Sequence, residues 1–297
     1  METMRERFAA VTAGLLDGDP RLAVVLADIS ADLFEPARRR HPERVINLGI
    51  REQLLVSVAG GLSLAGMRPI AHTFASFLIE RPFEQIKLDL NHQDVGAVLV
   101  SAGASYDYAD SGRTHQAPGD VALLGTLPGW TVHIPGHPDE AERHLRTAAT
   151  ATGRVYVRLS TAANAVPLEA EPGKLAVLRT GGRGSVLAVG PLADAVLDAT
   201  QGLDVTVLYA ATIRPLDVAT LRGTLDTPDV VLVEPYLAGT SVPAVSAALR
   251  DRPHRILGLG VGREELRRYG TPAEHQAAHG LDPRSLRGTI GRFLAAA

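Results

Sequence analysis

The sequence predicts an α/β fold made of two α/β domains with mostly parallel sheets. Short, wholly apolar runs alternate along the chain with longer segments in which apolar residues recur at helical spacing. Strands of a parallel sheet have this continuous apolar character because helices cover both faces of the sheet. The chain has 297 residues, of which 45% are hydrophobic. That length allows one large domain or two domains of medium size.

The first domain is predicted to cover residues 1–165. Its strands are expected at residues 22–27, 45–48, 68–74, 95–101, 130–135 and 155–160, and its helices at residues 5–16, 50–65, 77–92, 118–126 and 138–150. The connections between parallel strands should be right-handed crossovers.

The alternation stops in the stretch TAANAVPLEAEPG, and a linker is predicted at residues 166–178, followed by a second domain at residues 179–297. The strands of the second domain are expected at residues 185–190, 204–210, 229–235 and 255–260, and its helices at residues 192–200, 215–223 and 240–250. A last helix should begin at Asp282 and Pro283, because Asp is favoured at the N-cap and Pro at the first helical position.

Composition excludes several classes of function. The chain has no cysteine, which excludes disulfides, thiolate metal sites and a cysteine nucleophile. The net charge of −3 and the pI of about 6.4 argue against a nucleic-acid partner or a polybasic membrane surface. No apolar run has membrane-spanning length, and the opening METMRERF is too charged to begin a secretory signal. We therefore expect a cytoplasmic protein.

The segment NLGIREQLLVSVAGGLSLAG, residues 47–66, contains the first candidate for chemistry. A strand end passes through Gly49 into a helix whose first turn carries Glu52. Ligands of open α/β sheets bind beyond the carboxyl ends of the strands, where Glu52 is expected. A carboxylate there also complements the helix macrodipole, so its position alone leaves a structural role open. The longest connection, residues 102–120, carries His115, and its length indicates a functional loop.

Four stretches together resemble the thiamine-diphosphate enzymes of the transketolase and 1-deoxyxylulose-phosphate synthase group. They are NLGIREQLLVSVAGGLSLAG, RPIAHTFASFLIERPFEQIKLDL, SGRTHQAPGDVALLGTLPGWTVHIPGHPDEA and VTVLYAATIRPLD. In this order they are similar to the family's GI-x-E-Q/H helix, its TF-x-x-F segment, its GPTHQ loop with the strand and helix beyond it, and the P-L-D segment of its C-terminal domain. The order and spacing agree over nearly the whole chain.

The resemblance implies a pyrimidine-binding domain followed by a transketolase C-terminal domain. Complete enzymes of the family begin with a diphosphate-binding domain that holds Mg²⁺ through a GDG motif, and this sequence contains no GDG. The chain therefore resembles the C-terminal half of a split transketolase. The resemblance implies a separate diphosphate-binding partner subunit, an α2β2 heterotetramer and thiamine diphosphate shared between the two chains. The partner would hold the Mg²⁺, with no metal site in this chain.

The resemblance also assigns roles to individual residues. Glu52 would hydrogen-bond the N1′ atom of the cofactor and favour the tautomer that activates it. His115 would assist proton transfer at the substrate's oxygens. Phe77 would stack on the aminopyrimidine ring. The other cofactor-binding candidates are Phe74, Ile50 and Asp28, and a helix-capping role stays open for Asp28.

The substrate side of the site departs from the family. Arg5 matches an arginine that binds the terminal phosphate of the substrate. Gly103, Thr161 and Asp32 stand where the family has a histidine, a second arginine and a serine that contact this phosphate. The further substrate-binding candidates are Asp110, Arg113 and Gln116. We hypothesise that at least one substrate is not an ordinary sugar phosphate, although Arg113 offers a replacement cation.

The main interpretation is a subunit that transfers a two-carbon ketol unit from a ketose to an aldose, as in a specialised biosynthetic pathway. The alternatives are the β-chain of a 2-oxo acid dehydrogenase, a half-chain of a deoxyxylulose-phosphate synthase, and a non-catalytic scaffold protein. The THQ loop and the TF-x-x-F segment favour transketolase over the dehydrogenase. The altered loop favours a scaffold, whereas the retained Glu52, Phe77 and His115 oppose it.

Overall fold

The computed structural model describes residues 2–169 and 171–296. Met1, Ala170 and Ala297, which fall within the predicted first domain, linker and second domain, lie outside the described residues. The strands are β1 (Leu22–Leu26), β2 (Val45–Asn47), β3 (Arg68–Phe74), β4 (Val98–Ala102), β5 (Trp130–His133), β6 (Arg154–Arg158), β7 (Ala176–Arg179), β8 (Ser185–Val189), β9 (Thr206–Ala210), β10 (Thr212–Arg214), β11 (Asp229–Leu237) and β12 (Arg255–Val261).

The helices surround these strands. They are α1 (Met4–Gly18), α2 (Ala31–Arg40), α3 (Glu52–Leu64), α4 (Phe83–Gln85), α5 (Asp120–Leu124), α6 (Pro138–Thr150), α7 (Ala193–Ala199), α8 (Val218–Gly223), α9 (Val242–Ala248), α10 (Pro272–Ala278) and α11 (Pro283–Ala295). The last helix begins as predicted, because the Asp282 side chain accepts from two backbone N–H groups of its first turn and Pro283 follows. No helix in the described part of the chain is long and apolar enough to cross a membrane.

Two mostly parallel sheets confirm the predicted fold class. The first has seven strands in the order β10-β5-β6-β4-β3-β1-β2, and the second has five in the order β12-β11-β8-β9-β7. The neighbours pair in parallel except at one edge of each sheet, where β10 is antiparallel to β5 and β7 is antiparallel to β9. Parallel pairing aligns the carboxyl ends of the strands along one edge, where ligands of such folds bind.

The two sheets share a hydrophobic core. Strand β10 comes directly after β9 of the second sheet, yet it pairs with β5 of the first. Beneath this crossing, one buried cluster contains Val132 and Ile134 from the first sheet together with Leu187 and Leu208 from the second. The chain therefore folds as two sheets joined by packed side chains rather than by a linker alone.

Several elements differ from the sequence prediction. The segment predicted as one helix over 77–92 consists of two π-helical stretches, Ser76–Glu80 and Ile86–His92, on either side of α4. Pro82 lies between them, and its missing N–H interrupts regular α-helical hydrogen bonding. The elements α2, β7, β10 and α10 were not predicted, and β7 begins inside the predicted linker.

Candidate active site

Glu52 is the first residue of α3 and lies at the carboxyl edge of the first sheet. The chain turns at Gly49 with φ of +70°, a conformation that glycine adopts without strain. The Glu52 side chain is only 2% exposed. A buried carboxylate needs a charged or hydrogen-bonding partner. Arg81 supplies it, with its Nη1 donating to Glu52 Oε2 over 2.7 Å.

Arg81 also covers the ring of Phe77. Its guanidinium carbon lies 4.0 Å from the centroid of this ring, the geometry of a cation–π contact. A planar group with N–H donors thus stacks on Phe77 and bonds Glu52 at the same time. The Arg81 side chain is 37% exposed, so it can leave the site without opening the core. Sequence reasoning missed Arg81, although its position four residues after Phe77 places both on one side of a helical segment.

The structure brings Phe74, Phe77 and His115 together, although they come from a strand end, a π-helical stretch and a loop. The ring of His115 lies 5.5 Å from that of Phe74 and 5.1 Å from that of Phe77, both in edge-to-face geometry. The two phenylalanine rings are 5.9 Å apart. All three side chains are half-buried. They form an aromatic wall beside the Glu52 carboxylate that can exclude water from a bound ring.

His115 lies in the predicted long loop, which contains two short 3₁₀ turns, Ala109–Ser111 and Arg113–His115. The Thr114 hydroxyl lies 3.0 Å from His115 Nδ1 and helps to orient the ring.

A buried ion pair fixes both ends of this loop. Arg158 Nε donates to Asp120 Oδ2 over 2.6 Å, and Arg158 Nη2 donates to Ser105 Oγ over 2.8 Å. The Ser105 hydroxyl in turn donates to the carbonyl of Pro235 in the second sheet. Burial raises the pKa of Tyr156 well above its usual value, so its hydroxyl keeps its proton and donates to Asp120. The loop is therefore anchored to both sheets.

Asp28 and Ile50 lie at the rim of this edge. The Asp28 carboxylate is exposed and accepts from the Asn47 side chain over 3.0 Å. It does not cap α2, whose N-cap residue is Ser30. Ile50 is 71% exposed and precedes Glu52 by two residues. Both side chains are therefore available to a ligand or to a neighbouring chain.

Three of the four substrate-binding candidates line two different cavities. Arg5 lines a cavity of about 320 Å³ together with Gly103 and Thr161. Arg113 and Gln116 instead line a second cavity of about 250 Å³. Arg113 Nε donates there to Glu265 Oε1 over 2.8 Å.

The remaining polar candidates differ in exposure. Gln116 is 6% exposed, and its Nε2 has no hydrogen-bond partner among the described residues. Asp110 and Asp32 are exposed. Among residues 2–169 and 171–296, no group of three or more His, Asp or Glu side chains is placed to hold a metal ion.

Comparison with known proteins agrees with this geometry. Residues 2–165 match the family model of the transketolase pyrimidine binding domain. The chain is 55% identical over 291 residues to an uncharacterized 33.6 kDa protein in the fasciation locus of Rhodococcoides fascians, covering 97% of this chain and 93% of that protein. It is 28% identical over 298 residues to one of the subunits of the apulose-4-phosphate transketolase of Actinobacillus succinogenes, covering 95% of this chain and 94% of that one.

A solved structure of a split-gene transketolase, described as an inactive β4 tetramer, matches with a TM-score of 0.85 at 28% identity, over 99% of both chains. These matches confirm the resemblance to split transketolase subunits that was drawn from the sequence motifs. With more than half of its length matched by the family model, the chain belongs to the transketolase pyrimidine binding domain family.

Proposed function

We propose that this chain is one subunit of a split, thiamine-diphosphate-dependent transketolase, which transfers a two-carbon ketol unit from a ketose to an aldose. The observation that carries the proposal is the pairing of a buried carboxyl, Glu52, with an adjacent aromatic face, Phe77. An aminopyrimidine ring needs both groups, one to hydrogen-bond its ring nitrogen and one to stack on.

Arg81 supports the fit of this ring. Its guanidinium is planar, carries N–H donors and already lies on the Phe77 ring while bonding Glu52. A planar heteroaromatic ring can take the same place once the Arg81 side chain swings outward. The aminopyrimidine of thiamine has the required shape and hydrogen-bonding groups.

Each candidate residue of this chain would have a separate role in the reaction. Glu52 holds a proton at the N1′ atom of the pyrimidine, Phe77 stacks on the ring, and Phe74 excludes water beside it. His115 moves a proton at the substrate's carbonyl and hydroxyl oxygens. Ile50 and Asp28 border the cofactor from the rim. When bound, thiamine diphosphate supplies the nucleophilic carbon that carries the two-carbon unit.

The chain would act only with a partner. We propose that a separate diphosphate-binding subunit holds the Mg²⁺ and the diphosphate, in a cytoplasmic α2β2 heterotetramer in which this chain also self-associates. In this proposal residues 1–165 form the pyrimidine-binding domain, residues 166–178 the linker and residues 179–297 the C-terminal domain. The names of the apulose-4-phosphate transketolase relative and of the split-gene structure support a divided enzyme.

At least one substrate would differ from an ordinary sugar phosphate. Arg5, Gly103 and Thr161 line one cavity, so two of the three departures from the family's phosphate-binding residues lie beside its retained arginine. Arg113 lines the other cavity and is paired with Glu265, so it does not supply the missing charge in this arrangement. Asp110 and Gln116 remain candidates for contacts with the rest of the substrate.

Replacement of Glu52 tests the proposed function. In the complex with the diphosphate-binding subunit, E52Q should lower thiamine-diphosphate-dependent consumption of a ketose donor by about a hundredfold or more, the usual contribution of a positioned proton-transfer group. The matched control is E43Q, which changes an exposed glutamate and should leave the rate unchanged. Equal rates for E52Q and the wild type would contradict a catalytic role for Glu52. The non-catalytic scaffold protein would then be the remaining interpretation.

A further inference from the structure

The cavity that contains Arg5 lies at the same sheet edge as the aromatic wall. It is bounded by the start of α1, the loop after β4 and the end of β6. Tyr108 lines it and contacts Phe74, with 4.7 Å between the two ring centroids. Phe74 in turn contacts His115. The cavity is therefore placed to receive the far end of a substrate whose carbonyl group lies near His115.

Ser160 and Thr161, which line this cavity, already donate to Asp107, which lines an adjoining cavity that shares Ser160. The Asp107 carboxylate accepts hydrogen bonds from the backbone N–H groups of Ala104 and Thr161, each over 2.9 Å. It also accepts from the Ser160 hydroxyl over 3.0 Å. Converging N–H and hydroxyl donors of this kind bind phosphate in many proteins. Here a carboxylate of the chain itself takes the place of the phosphate oxygens.

No side chain can reach into the cavity from position 103. Gly103 has φ of +69°, and a Cβ atom added there would overlap the ring of Tyr108. A histidine at this position would need Tyr108 to move and the backbone to tolerate a left-handed conformation. The Tyr108 ring thus fills the space of a phosphate-contacting side chain.

Arg5 remains as the cation of the cavity. Among the residues that the structure describes, no carboxylate oxygen lies within 4.0 Å of a side-chain nitrogen of Arg5, so Arg5 forms no ion pair with them. Tyr108 lines the same cavity as Arg5; burial raises the pKa of its hydroxyl, and the charge of Arg5 opposes that rise. Glu6 also lines the cavity and adds a negative charge at its exposed rim.

The charges around the cavity distinguish three kinds of substrate end: a neutral group, a monoanion and a phosphate dianion. A neutral end leaves the Arg5 guanidinium without an anion, and a phosphate dianion brings a second negative charge toward Glu6 and Asp107. A single negative charge matches one guanidinium, which binds planar or tripodal oxyanions through two N–H groups. We propose that the Arg5 cavity binds a substrate end with one negative charge, a carboxylate or a sulfonate, and discriminates against a phosphate.

The first test measures acceptor preference and rests on the proposed function. The complex with the diphosphate-binding subunit is assayed with four aldehyde acceptors of equal chain length: D-glyceraldehyde, D-glyceraldehyde 3-phosphate, 3-sulfolactaldehyde and tartronate semialdehyde. We expect kcat/KM for the sulfonate or the carboxylate to exceed that for the phosphate by about tenfold or more, the ratio that about 1.4 kcal/mol of differential binding gives. The comparison of these two acceptors tells which oxyanion is preferred. A preference for the phosphate would overturn the proposal.

Two variants assign the preference to the cavity. R5Q should bring the ratio of kcat/KM for the charged acceptor to that for D-glyceraldehyde down to about one. D107N removes the competing negative charge and should raise kcat/KM for the phosphate relative to the sulfonate by about tenfold. R38Q changes an exposed arginine of α2 and serves as the matched control. Unchanged acceptor ratios in both R5Q and D107N would contradict the proposal.

The second test needs neither cofactor nor turnover. NMR titration of the chain with ethanesulfonate, propionate and ethyl phosphate reports binding through the amide signals of Gly103 and Thr161. We expect saturable shifts with a monoanion at a Kd about fivefold or more below that for ethyl phosphate, and no such shifts in R5Q. Tighter binding of ethyl phosphate, or unchanged binding in R5Q, would overturn the proposal even if ketol transfer is confirmed. Monoanion binding without turnover would instead contradict only the proposed function.

Discussion

Arg81 contacts both groups that we propose for binding the pyrimidine, the Glu52 carboxylate and the Phe77 ring. Arg81 compensates the buried carboxylate with a hydrogen bond of 2.7 Å and stacks on Phe77. A hydrogen bond to a charged group contributes about 1.5–3 kcal/mol, and a partly exposed cation–π contact about 0.5–1 kcal/mol. In the proposed function, an entering pyrimidine would have to replace both contacts. Arg81 would therefore compete with the cofactor for Glu52 and Phe77.

Removal of the Arg81 charge should tighten cofactor binding. In R81M the complex should bind thiamine diphosphate about three- to tenfold more tightly, because the ring no longer displaces the ion pair and the cation–π contact. The chain without cofactor should melt at a lower temperature, because Glu52 is left buried without its partner. Calorimetric titration and thermal melting measure the two effects, with R38M as the surface control. Weaker cofactor binding in R81M would show that Arg81 contacts the cofactor instead of competing with it.

At the scale of elements, α3 is held against the second π-helical stretch. A Cβ atom at Gly60 would lie 2.7 Å from the carbonyl oxygen of Asp89, whereas nothing lies within 4 Å of a Cβ atom at Gly61. The Ser57 hydroxyl also donates to Asp89 Oδ2 over 2.6 Å. This close approach fixes the helix that begins with Glu52.

The two adjacent glycines provide a matched pair of substitutions. G60A should lower the free energy of unfolding of the isolated chain by about 1–3 kcal/mol, the usual cost of overpacking. G61A should instead raise it by up to about 1 kcal/mol, because alanine is the better helix former and meets no neighbour. Urea denaturation of both variants checks the sign of each change. A loss of stability in G61A equal to that in G60A would show that helix packing is not the cause.

Elements with strong local patterns could be predicted from the sequence, and those that depend on tertiary contacts could not. The strand at 68–74 and the helix at 138–150 have the predicted bounds, because a continuous apolar run and a Pro138 start are local signals. The π-helical stretches have a wider turn than the 3.6-residue spacing used to predict helices. The short strand β10 depends on its pairing with β5. Arg81 was missed for the same reason, since its role is visible only beside Glu52.

At the scale of the whole molecule, three of the four histidines that are buried in the described part of the chain, His72, His133 and His144, lie in β3, β5 and α6. Burial lowers the pKa of His72 to about 4 and that of His144 to about 4, and it lowers that of His133 well below 6.5. His72 is held neutral between the carbonyl of Val100 and the hydroxyl of Ser30. In the unfolded chain these imidazoles take up protons near pH 6.5, so acid favours the unfolded state.

Glu169 acts in the opposite direction. Burial raises the pKa of its carboxyl from 4.5 to about 7, so between these pH values the folded state binds the extra proton. As the pH falls from 7 to 4.5, this group therefore stabilises the fold. Burial also raises the pKa of Glu80, Asp107 and Glu234, so these carboxyls act in the same direction as Glu169. The contribution of the three histidines is a loss of stability as the pH falls from about 6.5 to about 4.

Replacement of one histidine tests this pH dependence. The melting temperature of the isolated wild-type chain should fall more steeply between pH 6.5 and pH 4 than that of H72Q, because each unit of lowered pKa corresponds to about 1.4 kcal/mol. In H72Q the loss over this range should be smaller by up to about 3 kcal/mol, since the group that takes up a proton on unfolding is gone. H92Q changes an exposed histidine and should leave the slope unchanged. If H72Q keeps the wild-type slope, the buried imidazole at position 72 is not a source of acid sensitivity, and protonation of carboxylates paired in the folded state has to account for it.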